Sequence, residues 1–414
     1  MIFLLLLGVP CGLAHLYLWK RLVRDTTRPG RGRALGTAAV VVMFLVLLGG
    51  LAGSRLLGPG AAAFLAWPGY LWLAMVLYLT LLLLVLEVPR ALLNRRLRPV
   101  QAPAEVAVPA GPDEPVAADV ADVPEDGPTD VPADRPADPG RRLFIARSLA
   151  VAGGVVATGV VGYGVTQAMG GPVVKRVPIA LGKLAPAFDG FRIAVVSDIH
   201  LGPLLGRSHT ERVVNTINGL QPDLVAIVGD LVDGSVEELG EAAAPLRDLV
   251  SAHGSFFVTG NHEYFSGAQP WLAELSRLGV HPLRNELLAI TRGGAAFDLA
   301  GVNDVTGKGY GDGPDMEKAL ERHDTSTPVV LLAHQPVQAV QAAGLGVDLQ
   351  LSGHTHGGQM WPFNYAVSLQ QPVVSGLAEV GGMPVYVSNG AGFWGPPVRV
   401  GAPPDVTLVE LRNA

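Results

Sequence analysis

Uninterrupted hydrophobic residues dominate three stretches of the first hundred positions. These stretches are 2–19, 35–57 and 61–88. Each is long enough, or nearly so, to cross about 30 Å of hydrocarbon as a helix. None shows the polar face expected of a helix in a soluble bundle. The pattern therefore predicts a membrane region over 1–98 with three transmembrane helices.

Basic residues flank these stretches unevenly. The first loop contains Lys20, Arg21, Arg24, Arg28, Arg31 and Arg33, and the tail after the third stretch contains Arg90, Arg95, Arg96 and Arg98. The second loop contains only Arg55. Because basic loops stay in the cytoplasm, the first loop and the tail are predicted to be cytoplasmic and the N-terminus to be outside.

The pattern then disappears over 99–140, where Pro, Ala, Val, Asp and Glu dominate without any hydrophobic period. Segments of this composition cannot bury enough apolar surface to fold, and their like charges keep them extended. This stretch is therefore predicted to be a disordered acidic linker, and a spacer role is favoured over partner binding.

A further apolar segment begins after Arg141-Arg142 and covers 148–169 without a charge. Paired arginines before a weakly apolar stretch are typical of a twin-arginine export signal. A fourth transmembrane helix explains 141–170 equally well. Both alternatives place the following residues outside the cytoplasm, and whether this segment is cleaved stays open.

From 171 to 414 short apolar runs alternate with helical patterns. The helical patterns cover 208–219, 236–251, 269–278, 316–322 and 336–343. Two further apolar runs flank Arg292-Gly293-Gly294, which predicts a β-hairpin. This alternation predicts an α/β domain built from β-α-β units.

Five of the apolar runs end in Asp, Asn or His. The polar residues at these ends are Asp198, His200, Asp230, Asn261, His334, His354 and His356. Parallel strands bring their carboxyl ends to one edge, where α/β sheets bind ligands. These side chains suit divalent metals such as Mn, Fe and Zn. Five histidines lack this context and are not predicted as ligands: His15, His209, His253, His281 and His323.

Composition agrees with a membrane protein, since 49% of residues are hydrophobic and only 16% are charged. The net charge of -6 is concentrated in the acidic linker, and no block of the chain is basic enough to indicate nucleic acid as a partner. The single cysteine, Cys11, excludes an intramolecular disulfide framework.

The series Asp-x-His, Gly-Asp-x-x-Asp, Gly-Asn-His-Glu, a lone His and Gly-His-x-His resembles the calcineurin-like metallophosphoesterase superfamily over 191–392. The resemblance implies an α/β sandwich of two mixed β-sheets flanked by helices. The string GHTHGGQ at 353–359, together with the membrane segments, is similar to a bacterial branch of membrane-associated or exported phosphoesterases.

This resemblance implies two divalent metal ions (Mn, Fe or Zn) and a role for each polar strand end. One metal ion would bind Asp198, His200 and His356, the other would bind Asn261, His334 and His354, and Asp230 would bridge both. His262 would protonate the leaving alkoxide or stabilise the charge at phosphorus. Glu263 would orient His262, whereas Asp233 would hold a ligand histidine or a loop, or cap a helix.

The substrate side is less well defined. Candidates to line the cleft are Asn303, Asp304 and Lys308, the segment Trp361, Phe363, Asn364 and Tyr365, and 389–394. An apolar loop beside the site would suit a lipid-linked phosphate presented by the bilayer, although such a loop could equally pack over the domain core. The family resemblance places no serine or cysteine as a nucleophile, which favours attack by metal-activated water over a covalent intermediate.

These patterns together predict a multi-pass cell-membrane hydrolase with its catalytic domain on the extracytoplasmic side. Its substrate would be a phosphodiester or a phosphomonoester. The alternative is a non-catalytic metal- or phosphate-binding domain that regulates a membrane transport or sensing module, although few charged residues lie in the first three spans.

Overall fold

The computed structural model describes residues 2–95 and 139–414. Its N-terminal helices are α1 (Ile2–Leu18), α2 (Arg31–Leu56), α3 (Pro59–Val85), α4 (Glu87–Arg95) and α5 (Pro139–Met169), with a π-helical turn at Trp19–Arg24 after α1. Nearly all of the acidic linker predicted over 99–140, as well as Arg96 and Arg98, lies outside the described residues.

By length and composition, three segments of the described chain could cross a membrane. They are Arg31–Gly53, Gly60–Leu93 and Gly140–Met169. α1 has 17 residues and is shorter than these. Helices α2 and α3 approach closely, since a Cβ atom at Gly50 would lie 3.1 Å from the Cα atom of Gly69. Small residues at such crossings are how membrane helices bring their backbones together.

The C-terminal region contains twelve strands and seven further α-helices among the described residues. The strands are β1 (Val173–Leu181), β2 (Phe191–Val196), β3 (Leu224–Val228), β4 (Ser255–Val258), β5 (Val280–Pro282), β6 (Glu286–Arg292), β7 (Ala295–Gly301), β8 (Val329–Leu332), β9 (Leu349–Ser352), β10 (Gly376–Val380), β11 (Met383–Val387) and β12 (Asp405–Asn413). The helices are α6 (Arg207–Gly219), α7 (Val236–Ala243), α8 (Asn261–Ser266), α9 (Ala268–Arg277), α10 (Met316–Leu320), α11 (Ala339–Gly344) and α12 (Asn364–Val367).

These strands form two six-stranded mixed sheets. The first has the order β1-β12-β2-β3-β4-β5, and the second has the order β10-β11-β9-β8-β7-β6. β2, β3, β4 and β5 are parallel to one another, and so are β7, β8, β9 and β11. The sandwich of two mixed sheets that the resemblance implied is confirmed.

The main core lies between the sheets. Buried side chains of β2 in the first sheet, such as Ile193 and Val195, share one apolar cluster with Leu332 and Leu351 of the second sheet. On the outer face of the first sheet, α6, α7 and α9 cover a second apolar cluster that includes Trp271. α10 and α11 cover the outer face of the second sheet.

The predicted β-hairpin is present, since β6 and β7 pair antiparallel on either side of Gly293 and Gly294. The helix predicted over 236–251 is shorter, because α7 ends at Ala243 and continues only as a 3₁₀ turn at Ala244–Asp248. Pro245 lies in that turn, and proline lacks the N–H group that an α-helix requires there. The strands β1, β5, β10, β11 and β12 were not predicted.

Candidate metal centre

The two sheets place their polar strand ends at one edge of the sandwich. Within the described residues, three groups of side chains have ligand atoms that all lie within 4.8 Å of one another. Two consist of predicted ligands, and the third joins one of those ligands to two neighbours: Asp198, His200 and His356; Asp230, His334 and His354; and His200, Asp233 and His262. The five histidines that lacked a strand-end context belong to none of these groups. The strand-end pattern and the folded structure therefore converge on the same cluster.

Short distances connect the members of the two ligand groups. The Nε2 atoms of His200 and His356 are 3.0 Å apart, and Asp198 Oδ1 lies 3.4 Å from His356 Nε2. In the other group, His354 Nδ1 lies 3.0 Å from Asn261 Oδ1. Carboxylate, imidazole and amide groups that could bind a metal thus face one another in the cluster.

Asp230 belongs to the group of His334 and His354 and also approaches the other group. Its Oδ2 atom is 3.2 Å from His334 Nε2 and 3.9 Å from His200 Nε2. Its Oδ1 atom accepts a hydrogen bond of 2.9 Å from the backbone N–H of His262. Burial disfavours the charged carboxylate, but the surrounding histidines outweigh burial and hold the pKa of Asp230 well below its ordinary value.

The side chains present fit a divalent metal. His334 uses Nδ1 against the carbonyl oxygen of Val228 at 2.8 Å, which leaves Nε2 directed at the cluster. That buried Nε2 atom faces the Asp230 carboxylate at 3.2 Å without an aligned hydrogen bond among the described residues. A ring held through one nitrogen with the other free is the arrangement of a metal-ligating histidine.

Five residues of the cluster have a left-handed backbone that L-amino acids rarely adopt. They are Asp198, His200, Asp230, His354 and His356, with φ between 50° and 71°. Such strain persists only where the surrounding structure enforces it, and it concentrates at functional sites. The strand ends are therefore bent to aim these side chains into the cluster.

Three glycines lie beside the cluster, and two of them are needed for close packing and not for a turn. Gly229 does have a positive φ of 77°. At Gly260 and Gly353, however, φ is not positive, and a Cβ atom would overlap the Asp230 and Asp198 carboxylates respectively. Of these three glycines, only Gly229 has a backbone conformation that favours glycine. At Gly260 and Gly353 glycine is required because there is no room for a Cβ atom.

Asp233 holds two histidines of the cluster. Its Oδ1 atom lies 2.5 Å from His262 Nδ1 and 3.1 Å from His200 Nδ1. The N-cap of α7 is Ser235, which forms a capping box with Glu238, so Asp233 does not cap that helix. Of the roles predicted for Asp233, the structure supports the contact with a ligand histidine.

His262 is oriented by Asp233, not by Glu263 as predicted. Burial opposes the charged form of its ring, but the carboxylates of Asp230 and Asp233 outweigh burial and raise the pKa of His262 to about 10. The side chain remains 16% exposed, so it can reach a substrate in the cleft.

Glu263 instead joins two of the strand-end loops. Its carboxylate accepts hydrogen bonds from the backbone N–H groups of Asp230, Leu231 and Gly260, at 3.0, 2.8 and 2.6 Å. Burial and the nearby Asp230 raise the pKa of Glu263 to about 7. Its role is to fix the loops after β3 and β4 relative to each other.

Two of the predicted cleft residues, Asn303 and Asp304, are buried. Asn303 Nδ2 donates to Asp312 at 2.9 Å, and Asp304 Oδ1 accepts from Gln335 at 3.1 Å. These contacts brace the loop after β7. Lys308 is exposed on the same loop.

Large apolar side chains are exposed beside His262 and in the segment that follows His356, and we call Phe265, Trp361, Phe363, Tyr365 and Trp394 the apolar rim. All five are exposed, so the predicted alternative of a loop packed over the core does not apply to them. The rings of Phe265 and Trp394 lie 5.6 and 6.0 Å from the ring of His262.

The rim also touches the membrane helices. The Tyr78 hydroxyl on α3 donates to the carbonyl oxygen of Trp361 at 3.0 Å. Met360, Val398 and Val400 pack into an apolar cluster with residues of α3 and α5. The site opening is therefore adjacent to the helical region.

Two functional contacts were missed in the sequence. Ser197 Oγ donates to Asp198 Oδ2 at 2.5 Å. Arg399 is fully buried, and one of its nitrogens lies 3.0 Å from His356 Nδ1. Arg399 has no motif around it, although a lone arginine in the apolar segment 398–402 is a weak signal.

Comparison with known proteins gives the same class. The family model described as calcineurin-like phosphoesterase matches residues 191–358. A Bos taurus protein named "Transmembrane protein with metallophosphoesterase domain" is 40% identical over 67% of this chain and 65% of its own length, so the match spans just under two thirds of that relative. An uncharacterized metallophosphoesterase of Helicobacter pylori is 38% identical over 66% of this chain and 73% of its own length. The crystal structure of a dimetal phosphatase from Danio rerio covers 49% of this chain and 88% of that one, with 15% identity and a TM-score of 0.34.

The chain belongs to the calcineurin-like metallophosphoesterases. Relatives named as transmembrane proteins agree with the three helices that could cross a membrane.

Proposed function

We propose that the protein is a membrane-anchored phosphoesterase that uses two divalent metal ions, Mn, Fe or Zn, to hydrolyse a phosphodiester or a phosphomonoester. The observation that carries this proposal is the convergence of two buried ligand groups on Asp230. When bound, the metals would polarise the phosphoryl oxygens and supply an activated water.

The chain's own residues supply the remaining functions. Asp198, His200 and His356 would hold one ion, Asn261, His334 and His354 would hold the other, and Asp230 would contact both. The carboxylate between the sites would also offset the repulsion between two cations.

His262 would deliver a proton to the leaving alkoxide. The contact of its Nδ1 with Asp233 orients the ring, so that the remaining nitrogen, Nε2, is the proton donor. Nearby carboxylates raise the pKa of His262 to about 10, so the ring carries its proton at neutral pH. Cations bound beside Asp230 would lower this pKa, while the Asp233 contact would still retain the Nδ1 proton.

The apolar rim favours a lipid-linked substrate. Trp361, Phe363 and Tyr365 are 55%, 58% and 65% exposed beside a cluster that binds charged groups. Exposed aromatic side chains at this density mark a surface for an apolar partner. A phosphate headgroup would enter the cluster while its lipid or glycolipid portion contacts the rim and the bilayer.

We further propose that the catalytic domain lies on the extracytoplasmic side, as in the membrane-associated bacterial branch with the GHTHGGQ string. Basic residues of the first loop and Arg141-Arg142 support this orientation. Labelling intact cells with a membrane-impermeant maleimide tests it. In a Cys11→Ser background, Glu241→Cys should react and Arg142→Cys should not, and the reverse result would refute the orientation.

Turnover by the purified full-length chain tests the enzyme proposal. The protein is stripped with a chelator, reloaded with Mn, and assayed with bis-p-nitrophenyl phosphate, p-nitrophenyl phosphate and a phospholipid in vesicles. We expect metal-dependent turnover of at least one reporter, with the vesicle substrate preferred. If the chain binds metal but hydrolyses no reporter, the result favours the alternative of a non-catalytic metal- or phosphate-binding domain.

A further inference from the structure

Arg399 is buried beside the metal cluster without a carboxylate partner in hydrogen-bond contact among the described residues. Its side chain is fully buried, in the segment that follows Trp394. Removing a guanidinium from water costs on the order of several kcal/mol unless its donors are satisfied. A buried arginine therefore has to be explained by what it binds.

All of its side-chain contacts are made to backbone carbonyls and one ring around the cluster. Arg399 donates to the carbonyl oxygens of His356 at 2.9 Å, Asn389 at 2.9 Å, Gly392 at 3.1 Å and Ala402 at 3.3 Å, and its Nη2 lies 3.0 Å from His356 Nδ1. His356 is contacted through both its backbone and its ring. Because a guanidinium only donates, an Nδ1 that accepts from it leaves the ring proton on Nε2, so the contact that positions His356 for a metal is the one to its carbonyl oxygen.

The loop that Arg399 binds also packs on another ligand. The N–H of Gly392 donates to the carbonyl oxygen of Asp198 at 2.8 Å, and the N–H of Ala391 donates to Ser197 at 2.8 Å. One guanidinium thus joins the His356 loop to the Asp198 loop. Lysine could not do this, because its single nitrogen lacks the planar fork of five donors.

The backbone of Arg399 contacts a membrane helix. Its N–H donates to the carbonyl oxygen of Gly164 on α5 at 2.9 Å. A Cβ atom at Gly164 would lie 2.5 Å from Val398 Cγ1 and 3.0 Å from Val400 Cγ2, so any larger residue must displace this segment. At Gly162 no described atom lies within 4 Å of such a Cβ atom.

We propose that Arg399 is a positioning residue for the metal ligand His356, and that the contact between Gly164 and Arg399 connects helix α5 to the metal centre. The proposal rests on the metal centre described under the proposed function. It predicts that a change in the helix, distant in sequence from every ligand, weakens metal binding at His356.

The test compares Gly164→Val with Gly162→Val in the full-length chain purified in detergent. Each variant is stripped and titrated with Co²⁺, whose visible absorption reports ligand geometry independently of turnover. For Gly164→Val we expect a loss of about 10- to 100-fold in affinity at one site, the size found when a partner of a ligand is removed. Gly162→Val should match the wild-type chain.

Arg399→Lys and Arg399→Met provide a second route to the same site, and both should change the Co²⁺ spectrum. His356→Gln and Gly164→Val are then combined in a double-mutant cycle. If both changes act on one ligand, the double variant should bind Co²⁺ only slightly more weakly than His356→Gln alone.

Wild-type affinity and spectrum in Gly164→Val and Arg399→Met would overturn the proposal. So would equal damage in Gly162→Val, or full additivity with His356→Gln. These readouts are separate from catalysis. A wild-type chain that binds Co²⁺ but hydrolyses no phosphoester would refute the proposed function and leave the role of Arg399 to be decided by the titrations.

Discussion

The metal cluster and the apolar rim are adjacent but are built in opposite ways. In the cluster, most polar side chains are buried, and several are fixed by a named partner, as His334 is by Val228 and His262, which is partly exposed, is by Asp233. In the rim, apolar side chains are exposed. Each region thus inverts the usual distribution of polarity.

This difference separates two tasks of the site. Catalysis requires groups held in place before the substrate arrives, since fixed dipoles and charges need no reorganisation. Contact with a lipid needs only apolar area. Changes in the cluster should therefore impair all substrates alike, whereas changes in the rim should impair lipid substrates alone.

The largest effect is expected from Asp230→Asn. Losing the carboxylate between the ligand groups should cost about 4 kcal/mol of transition-state stabilisation, roughly a 10³-fold loss of kcat/KM for every substrate. Steady-state assays and metal analysis of the same samples measure this loss. Asp298→Asn, which alters a buried carboxylate bonded to His323, should retain activity. Equal activity in Asp230→Asn and wild type would exclude the bridging role.

His262→Gln should lower kcat by about 10²-fold while leaving metal content unchanged, because the proposed role of the residue is to transfer a proton and not to bind metal. The loss should shrink for a good leaving group such as dinitrophenolate, which needs no proton. A series of aryl phosphodiesters measures this trend. A loss independent of the leaving group would contradict the role as a proton donor.

A smaller effect is expected from Asp233→Asn, about 10- to 100-fold in kcat, because the neutral amide orients His262 and His200 less well. Ser235→Ala is the matched control, since it removes the α7 cap and should cost about 1 kcal/mol of stability without lowering kcat. Thermal unfolding and kcat measured together separate the two. Similar kcat values for Asp233→Asn and Ser235→Ala would show that Asp233 contributes only to stability.

The clustering of these polar side chains could be predicted from sequence because each follows an apolar run that forms a strand. β2, β3, β4, β8 and β9 end within one residue of where the pattern indicated, and fold topology then brings their ends together. Of the unpredicted strands, β1, β5 and β10 lie at the outer edges of the sheets, whereas β11 and β12 lie inside them.

The partners of the ligands could not be predicted in the same way. Arg399 contacts His356 across 43 positions of sequence, and Glu263 contacts Asp230 across 33. Such contacts depend on how the loops of two sheets pack, and no local period in the sequence records that. The prediction that Glu263 orients His262 was wrong for this reason, because the carboxylate of Glu263 contacts backbone N–H groups and not the ring of its neighbour in sequence.

The smallest effect should come from the rim. Phe363→Ser removes part of an apolar contact worth about 1–2 kcal/mol, so KM for a phospholipid in vesicles should rise roughly 5- to 30-fold. Turnover of soluble bis-p-nitrophenyl phosphate should not change, because the cluster is intact. Val250→Ser is the control, since Val250 is exposed and precedes β4, at the end of the strand opposite to the metal site. A proportional loss on both substrates would show that the rim and the cluster are not separate, and an unchanged vesicle KM would remove the support for a lipid-linked substrate.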